Sequence, residues 1–392
     1  MKMNYSFLIF LSIFLTLYGL LHFYFYWKII KAFHPPLLIN IFIIMALCFL
    51  MLSPITMRMM DGKSPEILYT AITYTGYLWM GIIFLLFSLN LIVDIYNFLI
   101  FLSSKIFYAP IIKLVPDRKI IFYLIVSLIT FINIYGFFEA GNIRTVKIKL
   151  ETDKLPPDMD SFTIVQISDI HFSRTNGLKL ANKITAIVKD LDPDLLISTG
   201  DLIDDGLEKI EEVQGLFRGI DTRYGKYAST GNHEFITGIA KTSKFTEGCG
   251  FKLLRNEITE TDNFLCIAAI DDPAAGRDRN ISLPDEAVIL DKLSDDRLKL
   301  FLKHQPRVDP ESIGKFDLQL SGHTHNGQIF PFKLIVGLVY KYMYGLYDLG
   351  SNSFLYVTRG TGTWGPPVRF LCPPEIAVID FVRKNSIIKS GR

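Results

Sequence analysis

Cysteine is scarce in this chain, with four among 392 residues and no CxxC pair. Cys48 lies in an apolar run, while Cys249, Cys266 and Cys372 are scattered through the polar half. That pattern excludes a thiolate zinc ribbon and a disulfide-stapled scaffold, and leaves the redox compartment open. Net charge is nearly absent too: 41 basic residues oppose 39 acidic ones. No basic stripe with interleaved aromatics occurs, so no nucleic-acid partner is expected. Internal repeats and low-complexity tracts are missing as well. The N-terminus offers a single lysine and no small-residue cleavage site, which argues against a removed signal peptide.

What the chain has in excess is apolar length at one end. Uncharged apolar runs cover about residues 5–27, 37–57, 67–93 and 120–138. Each reaches the roughly 18 residues needed to cross about 30 Å of hydrocarbon as a helix. Residues 1–140 are therefore expected to form an all-α domain with four transmembrane helices and the lipid bilayer as partner. Tyr24, Tyr26 and Trp27 fall near a run end, where interfacial belts form. Pro35-Pro36, Asp61-Gly62 and Pro65 mark turns. Residues 95–112 are apolar but contain Lys105, and either extend the third helix or lie in the interface. His22, inside the first run, reads as a polar residue facing the bundle.

Orientation follows from Lys and Arg near the run ends. Lys28, Lys31, Lys105, Lys113, Arg118 and Lys119 flank one side, against Lys2, Arg58 and Lys63 on the other. The positive-inside rule makes the first set cytoplasmic and predicts a multi-pass cell-membrane protein with its polar domain extracytoplasmic. Arg144, Lys147 and Lys149 count against this, although large domains translocate with little regard to charge.

From residue 145 to 392 the pattern changes. Strand-length apolar segments at 146–150, 162–167, 195–198, 227–229, 264–270, 298–302, 317–320, 354–357 and 376–381 alternate with helical periodicity at 178–190 and 207–217. Such alternation predicts a layered α/β domain. Five motifs each follow one of these strands: Asp169-Ile170-His171, Gly200-Asp201, Gly231-Asn232-His233-Glu234, a lone His304, and Gly322-His323-Thr324-His325. Open α/β sheets bind ligands at the carboxyl ends of strands, so five such loops are expected to build one site.

Singly, each motif is common in solvated loops. Together they supply donors for two metal ions about 3.5–4 Å apart, which need a bridging carboxylate. Asp201 is the candidate bridge; Asp169, His171, Asn232, His304, His323 and His325 are the other candidate ligands. Mixed N and O donors without thiolate suit Mn, Fe or Zn better than Mg or Ca. His233, beside Asn232, is expected to protonate the leaving group or touch phosphate. Asp204 and Glu234 are expected to orient ligands from behind. Arg174 and Arg359 are candidates for contact with substrate phosphate.

The same series resembles the calcineurin-like metallophosphoesterase superfamily over about residues 160–326. Its surroundings resemble the membrane-associated YkuE-like branch: Gly322-His323-Thr324-His325-Asn326-Gly327-Gln328, Arg359-Gly360-Thr361-Gly362, Pro367-Val368-Arg369-Phe370 and Pro374-Glu375. Asn326 stands where that branch commonly has glycine. The resemblance implies a four-layer αββα fold with two facing sheets, preceded here by the four-span domain. It also implies that Asp169, His171, Asp201 and His325 hold one metal, and Asp201, Asn232, His304 and His323 the other. His233 takes the acid or phosphate-contact role in that family.

Residues 330–349 are rich in aromatics and aliphatics, with Lys333 and Lys341 among them. They are expected either to be core or to form a lip in the headgroup layer. Three functions follow. One is a membrane phosphodiesterase or pyrophosphatase acting on a lipid-linked phosphoester. The second is the same chemistry on soluble phosphoesters, with the spans a tether. The third is a non-enzymatic membrane partner, which the intact ligand set opposes.

Overall fold

The computed structural model describes residues 5–60, 65–106, 114–174, 176–204, 207–277 and 283–384. The chain divides into two compact units, Met1–Phe137 with Gly365–Val368, and Phe138–Trp364 with Arg369–Arg392. Four helices account for the first: α1 (Tyr5–Phe33), α2 (Leu37–Met60), α3 (Glu66–Ile106) and α4 (Arg118–Ala140). Each is long and apolar enough to cross a membrane.

The helix α3 runs past the expected end at residue 93, because the charge of Asp94 is compensated. Lys28 Nζ pairs with its Oδ1, and the Tyr24 hydroxyl donates to its Oδ2 at 2.6 Å. At 41 residues α3 is about 60 Å long, twice the hydrocarbon thickness. Residues 95–106 thus extend the third helix, and 107–112 lie outside the described residues. So do Lys2, Lys63 and Lys113, on which the orientation argument partly rests. His22 is buried, and it faces the bundle. The Trp79 indole N–H donates to its Nε2 at 2.8 Å.

The second unit holds two six-stranded sheets. The first contains β1 (Arg144–Thr152), β2 (Ser161–Ile167), β3 (Leu195–Ser198), β4 (Lys226–Ala228) and β5 (Lys252–Leu253). The second contains β6 (Glu257–Thr261), β7 (Leu265–Ala269), β8 (Leu298–Leu302), β9 (Leu318–Ser321), β10 (Gly345–Gly350) and β11 (Ser353–Val357). The last strand, β12 (Glu375–Arg383), enters the first sheet between β1 and β2. Helices α5 (Gly177–Asp190), α6 (Ile210–Arg218), α7 (Asn232–Thr237), α8 (Ile239–Gly248), α9 (Glu286–Leu290) and α10 (Phe332–Val339) fill the connections.

Period-two alternation sorts the strand side chains into layers. On β2, Phe162 and Ile164 face a core shared with Ile267, Leu300 and Leu320 of the second sheet. Their neighbours Val165 and Ile167 face Ile184, Val188, Val213 and Phe217 of α5 and α6. Beyond the second sheet, Ala268 and Phe301 pack on Leu290 and Phe316. The order is helix, sheet, sheet, helix. Each fully buried aliphatic or Phe side chain contributes about 1.5–3 kcal/mol, which is why these short strands hold.

Strands β2, β3 and β4 run parallel, as do β8 and β9. Their carboxyl ends therefore open toward common loops. Backbone bonds lock those loops in pairs: Asp169 N–H to Gly200 O at 3.0 Å, and Gly322 N–H to His304 O at 2.9 Å. Across the two sheets, the His323 N–H donates to the Asp169 carboxylate at 3.0 Å.

Candidate metal centre

Donor atoms from all five loops meet in this region. Ligand atoms of Asp169, His171 and His325 lie within 4.8 Å of one another, and so do those of Asp201, His304 and His323. Asp201 stands between the groups, its Oδ2 lying 3.2 Å from His304 Nε2 and 3.8 Å from His171 Nε2. Asn232 Oδ1 joins the second group 2.9 Å from His323 Nδ1.

Sequence spacing does not show how the backbone turns these side chains inward. Asp169, His171, Asp201, His323 and His325 all have positive φ, between 46° and 70°. Non-glycine residues held there cost of order 1–3 kcal/mol each, strain that clusters at functional sites. The glycines beside them serve close approach. A Cβ on Gly231 would stand 2.3 Å from Asp201 Oδ1, and one on Gly322 would stand 2.2 Å from Asp169 Oδ2.

Whether these groups fit a cation can be read from their hydrogen bonds. His304 spends its Nδ1–H on Thr199 O at 2.7 Å, and His171 Nδ1 lies 3.1 Å from Asp204 Oδ1. Both rings therefore present Nε2 toward Asp201. His171 Nε2 is 3.2 Å from His325 Nε2, and His304 Nε2 is 3.1 Å from His323 Nδ1. Ring nitrogens converging with carboxylates in a buried site make the mixed N and O donor set of a cation. Burial opposes a charge on His304, but Asp201 raises its pKa well above the ordinary value. Burial alone would raise the Asp201 carboxyl, yet the charges on His304 and His233 hold it well below the usual range. Burial, reinforced by the charge on His304, pushes His323 down to about 3, keeping it neutral as a ligand must be. His325 differs, because Arg369 donates to its Nδ1 at 3.2 Å and leaves the ring proton on Nε2. Ligation through Nε2 would require the ring proton to move to Nδ1 and the Arg369 contact to open. The donor set fits a pair of divalent ions.

Behind these atoms stand two carboxylates. Asp204 Oδ1 accepts from His171 and, at 2.7 Å, lies against His233 Nδ1. Glu234 accepts from the N–H groups of Asp201 and Leu202 at 2.9 Å and Gly231 at 2.7 Å, so it clamps two loops. Arg174 and Arg359 are each engaged by a carboxylate. Arg174 Nε pairs with Glu208 at 3.2 Å, and Arg359 Nε with Glu375 at 2.7 Å. Sequence reasoning missed Tyr340, whose hydroxyl lies 2.8 Å from His323 Nε2, and Arg369. Only the motif around Arg369 gave any signal.

The sequence profile of a family described as calcineurin-like phosphoesterase matches residues 162–327. An "Uncharacterized metallophosphoesterase" of Aquifex aeolicus (strain VF5) is 31% identical over 253 residues, spanning 64% of this chain and 97% of that one. The "Uncharacterized metallophosphoesterase YkuE" of Bacillus subtilis (strain 168) is 34% identical over 268 residues, spanning 64% and 91%. A "Transmembrane protein with metallophosphoesterase domain" of Danio rerio is 29% identical over 261 residues, spanning 63% and 59%.

Proposed function

This chain belongs to the calcineurin-like metallophosphoesterase family, and we propose that it is a membrane-anchored hydrolase of a lipid-linked phosphodiester or pyrophosphate. The observation that carries the reading is Asp201 Oδ2, placed between two groups of buried donors. In this reading Asp169, His171, Asp201 and His325 hold one ion, and Asp201, Asn232, His304 and His323 the other. Mn, Fe or Zn match the donors. When bound, such ions supply Lewis acidity toward phosphoryl oxygens and acidify water.

The chain's own residues do the rest. Asp201 stands between the two groups, Asn232 meets His323, and Asp204 holds both His171 and His233. His233 then donates a proton to the departing oxygen, since burial is outweighed by Asp201 and Asp204, which keep it protonated up to about 9. Opening of their pairs with Glu208 and Glu375 would let Arg174 and Arg359 reach a phosphate. The catalytic domain is proposed to be extracytoplasmic.

A lipid-linked substrate is favoured by α10. None of its residues is buried, and Leu334, Leu338 and Val339 are 63%, 87% and 63% exposed. Of the two expectations for residues 330–349, core and lip, this exposure favours the lip. The test is turnover by the full chain with Mn²⁺ on a lipid pyrophosphate and on a soluble aryl phosphodiester. Preference for the lipid is expected. Hydrolysis of the soluble ester alone would leave the spans as a tether, and no metal-dependent hydrolysis of either would overturn the reading.

A further inference from the structure

A hydrogen-bonded chain runs from a buried carboxylate to His323. Asp272 is 2% exposed; its Oδ1 accepts from the Ala274 N–H at 2.8 Å and its Oδ2 lies 2.9 Å from Gln305 Nε2. Gln305 Oε1 is 3.2 Å from the Tyr340 hydroxyl, which is 2.8 Å from His323 Nε2. The guanidinium of Arg307 stacks over the Tyr340 ring at 5.4 Å.

Donor and acceptor chemistry gives this chain one direction. A carboxylate only accepts, so Gln305 turns its NH₂ toward Asp272 and its oxygen toward Tyr340. The amide oxygen also only accepts, so the single hydroxyl proton of Tyr340 goes there. Toward His323 the hydroxyl is then an acceptor, and Nε2 must carry the ring proton. Nδ1 is left as a bare lone pair, aimed at Asn232 Oδ1 (2.9 Å) and His304 Nε2 (3.1 Å).

We propose that Asp272, Gln305 and Tyr340 form a relay that fixes His323 in the tautomer able to bind a cation through Nδ1. Tyr340 is its positioning residue. The relay rests on the reading of this site as a metal centre. Tyr340 is also the C-cap of α10, so the exposed apolar helix is tied at its end to a ligand of that centre.

The polarity of the relay can be reversed and restored. In Asp272→Asn, Oδ1 stays with Ala274 and the new NH₂ donates to Gln305, whose amide must flip. Tyr340 then donates to His323 Nε2, and the ring proton moves to Nδ1, where it blocks ligation. Adding Gln305→Glu supplies acceptors for both the introduced amide and Tyr340, and returns the original direction. The measurement is Co²⁺ binding to the full chain in detergent, by titration calorimetry and by the visible absorption band, without turnover. Asp272→Asn is expected to weaken one of two Co²⁺ sites by about 10–100-fold, and D272N/Q305E to recover most of it. Tyr340→Phe, which leaves Asp272 and Gln305 paired, serves where D272N does not fold, and should weaken the same site. Parental affinity in a folded D272N or Y340F overturns the relay, as does a folded double variant no tighter than D272N. A parent chain that takes up no Co²⁺ overturns the metal-centre reading itself, a different result.

Discussion

Asp204 Oδ1 lies 2.7 Å from His233 Nδ1. The same oxygen lies 3.1 Å from His171 Nδ1, so one carboxylate serves a proposed ligand and the proposed acid. Burial disfavours a charge on His233, but Asp201 and Asp204 raise its pKa to about 9. An acid works only while protonated, so turnover should be level below that limit and fall above it. Cations held at Asp201, as proposed, would offset its charge and draw the limb downward. His233→Asn should remove the limb and cost about 10²–10⁴-fold in kcat on an alkyl leaving group. A pH–rate profile that keeps its basic limb in this variant would sink the assignment.

In the proposed assignment Asp201 is the residue shared by both ions, and its Oδ2 lies between the two donor groups. Asp201→Asn should lower turnover by more than the roughly 10–100-fold typical of an outer-sphere partner, and reduce metal stoichiometry, while circular dichroism is unchanged. EDTA should silence the parent chain, with activity returning on adding Mn²⁺. Full metal-dependent turnover by the purified variant would refute the bridge.

Glu234 holds three backbone N–H groups from a buried position. Glu234→Gln puts an NH₂ against one or more of those donors, and a buried donor left unpaired costs about 1–3 kcal/mol. A lower unfolding midpoint and weaker metal binding are expected together, because the Asp201 and Gly231 loops are what Glu234 clamps. An unchanged midpoint would contradict the clamp.

Leu338, at 87% exposure, contributes nothing to the core. If α10 enters a lipid surface, each aliphatic side chain buried there is worth about 1.5–3 kcal/mol. Leu338→Glu should then reduce kcat/KM on a vesicle-borne lipid pyrophosphate by about tenfold or more, and leave a soluble aryl phosphodiester untouched. Equal effects on both substrates would count against a lipid-facing role.

Much of the architecture was legible because it rests on local properties. The strand 298–302 is apolar at four of five positions and matches β8 residue for residue; the spans are apolar runs whose length alone decides. What escaped was local sequence without a strong pattern. β6 (Glu-Ile-Thr-Glu-Thr) and the glycine-bounded β10 are edge strands held by pairing to β7 and β11. The extension of α3 beyond residue 93 depended on Lys28 and Tyr24 reaching Asp94 from another helix.

The candidate site divides the same way. By itself the sequence determined which residue types are present, their order after successive strands, and four helices' worth of membrane-length apolar chain. Ligand chemistry and hydrophobic periodicity are properties of short segments. Only the tertiary structure decided that Asp201 lies between the two groups, that Arg174 and Arg359 are held by carboxylates, and that residues 332–339 are exposed or half-buried. It also decided which nitrogen of His323 faces the cluster, through Tyr340, Gln305 and Asp272. A proton's position on an imidazole is set by the partner across from it, and those partners come together only when distant loops fold onto one another.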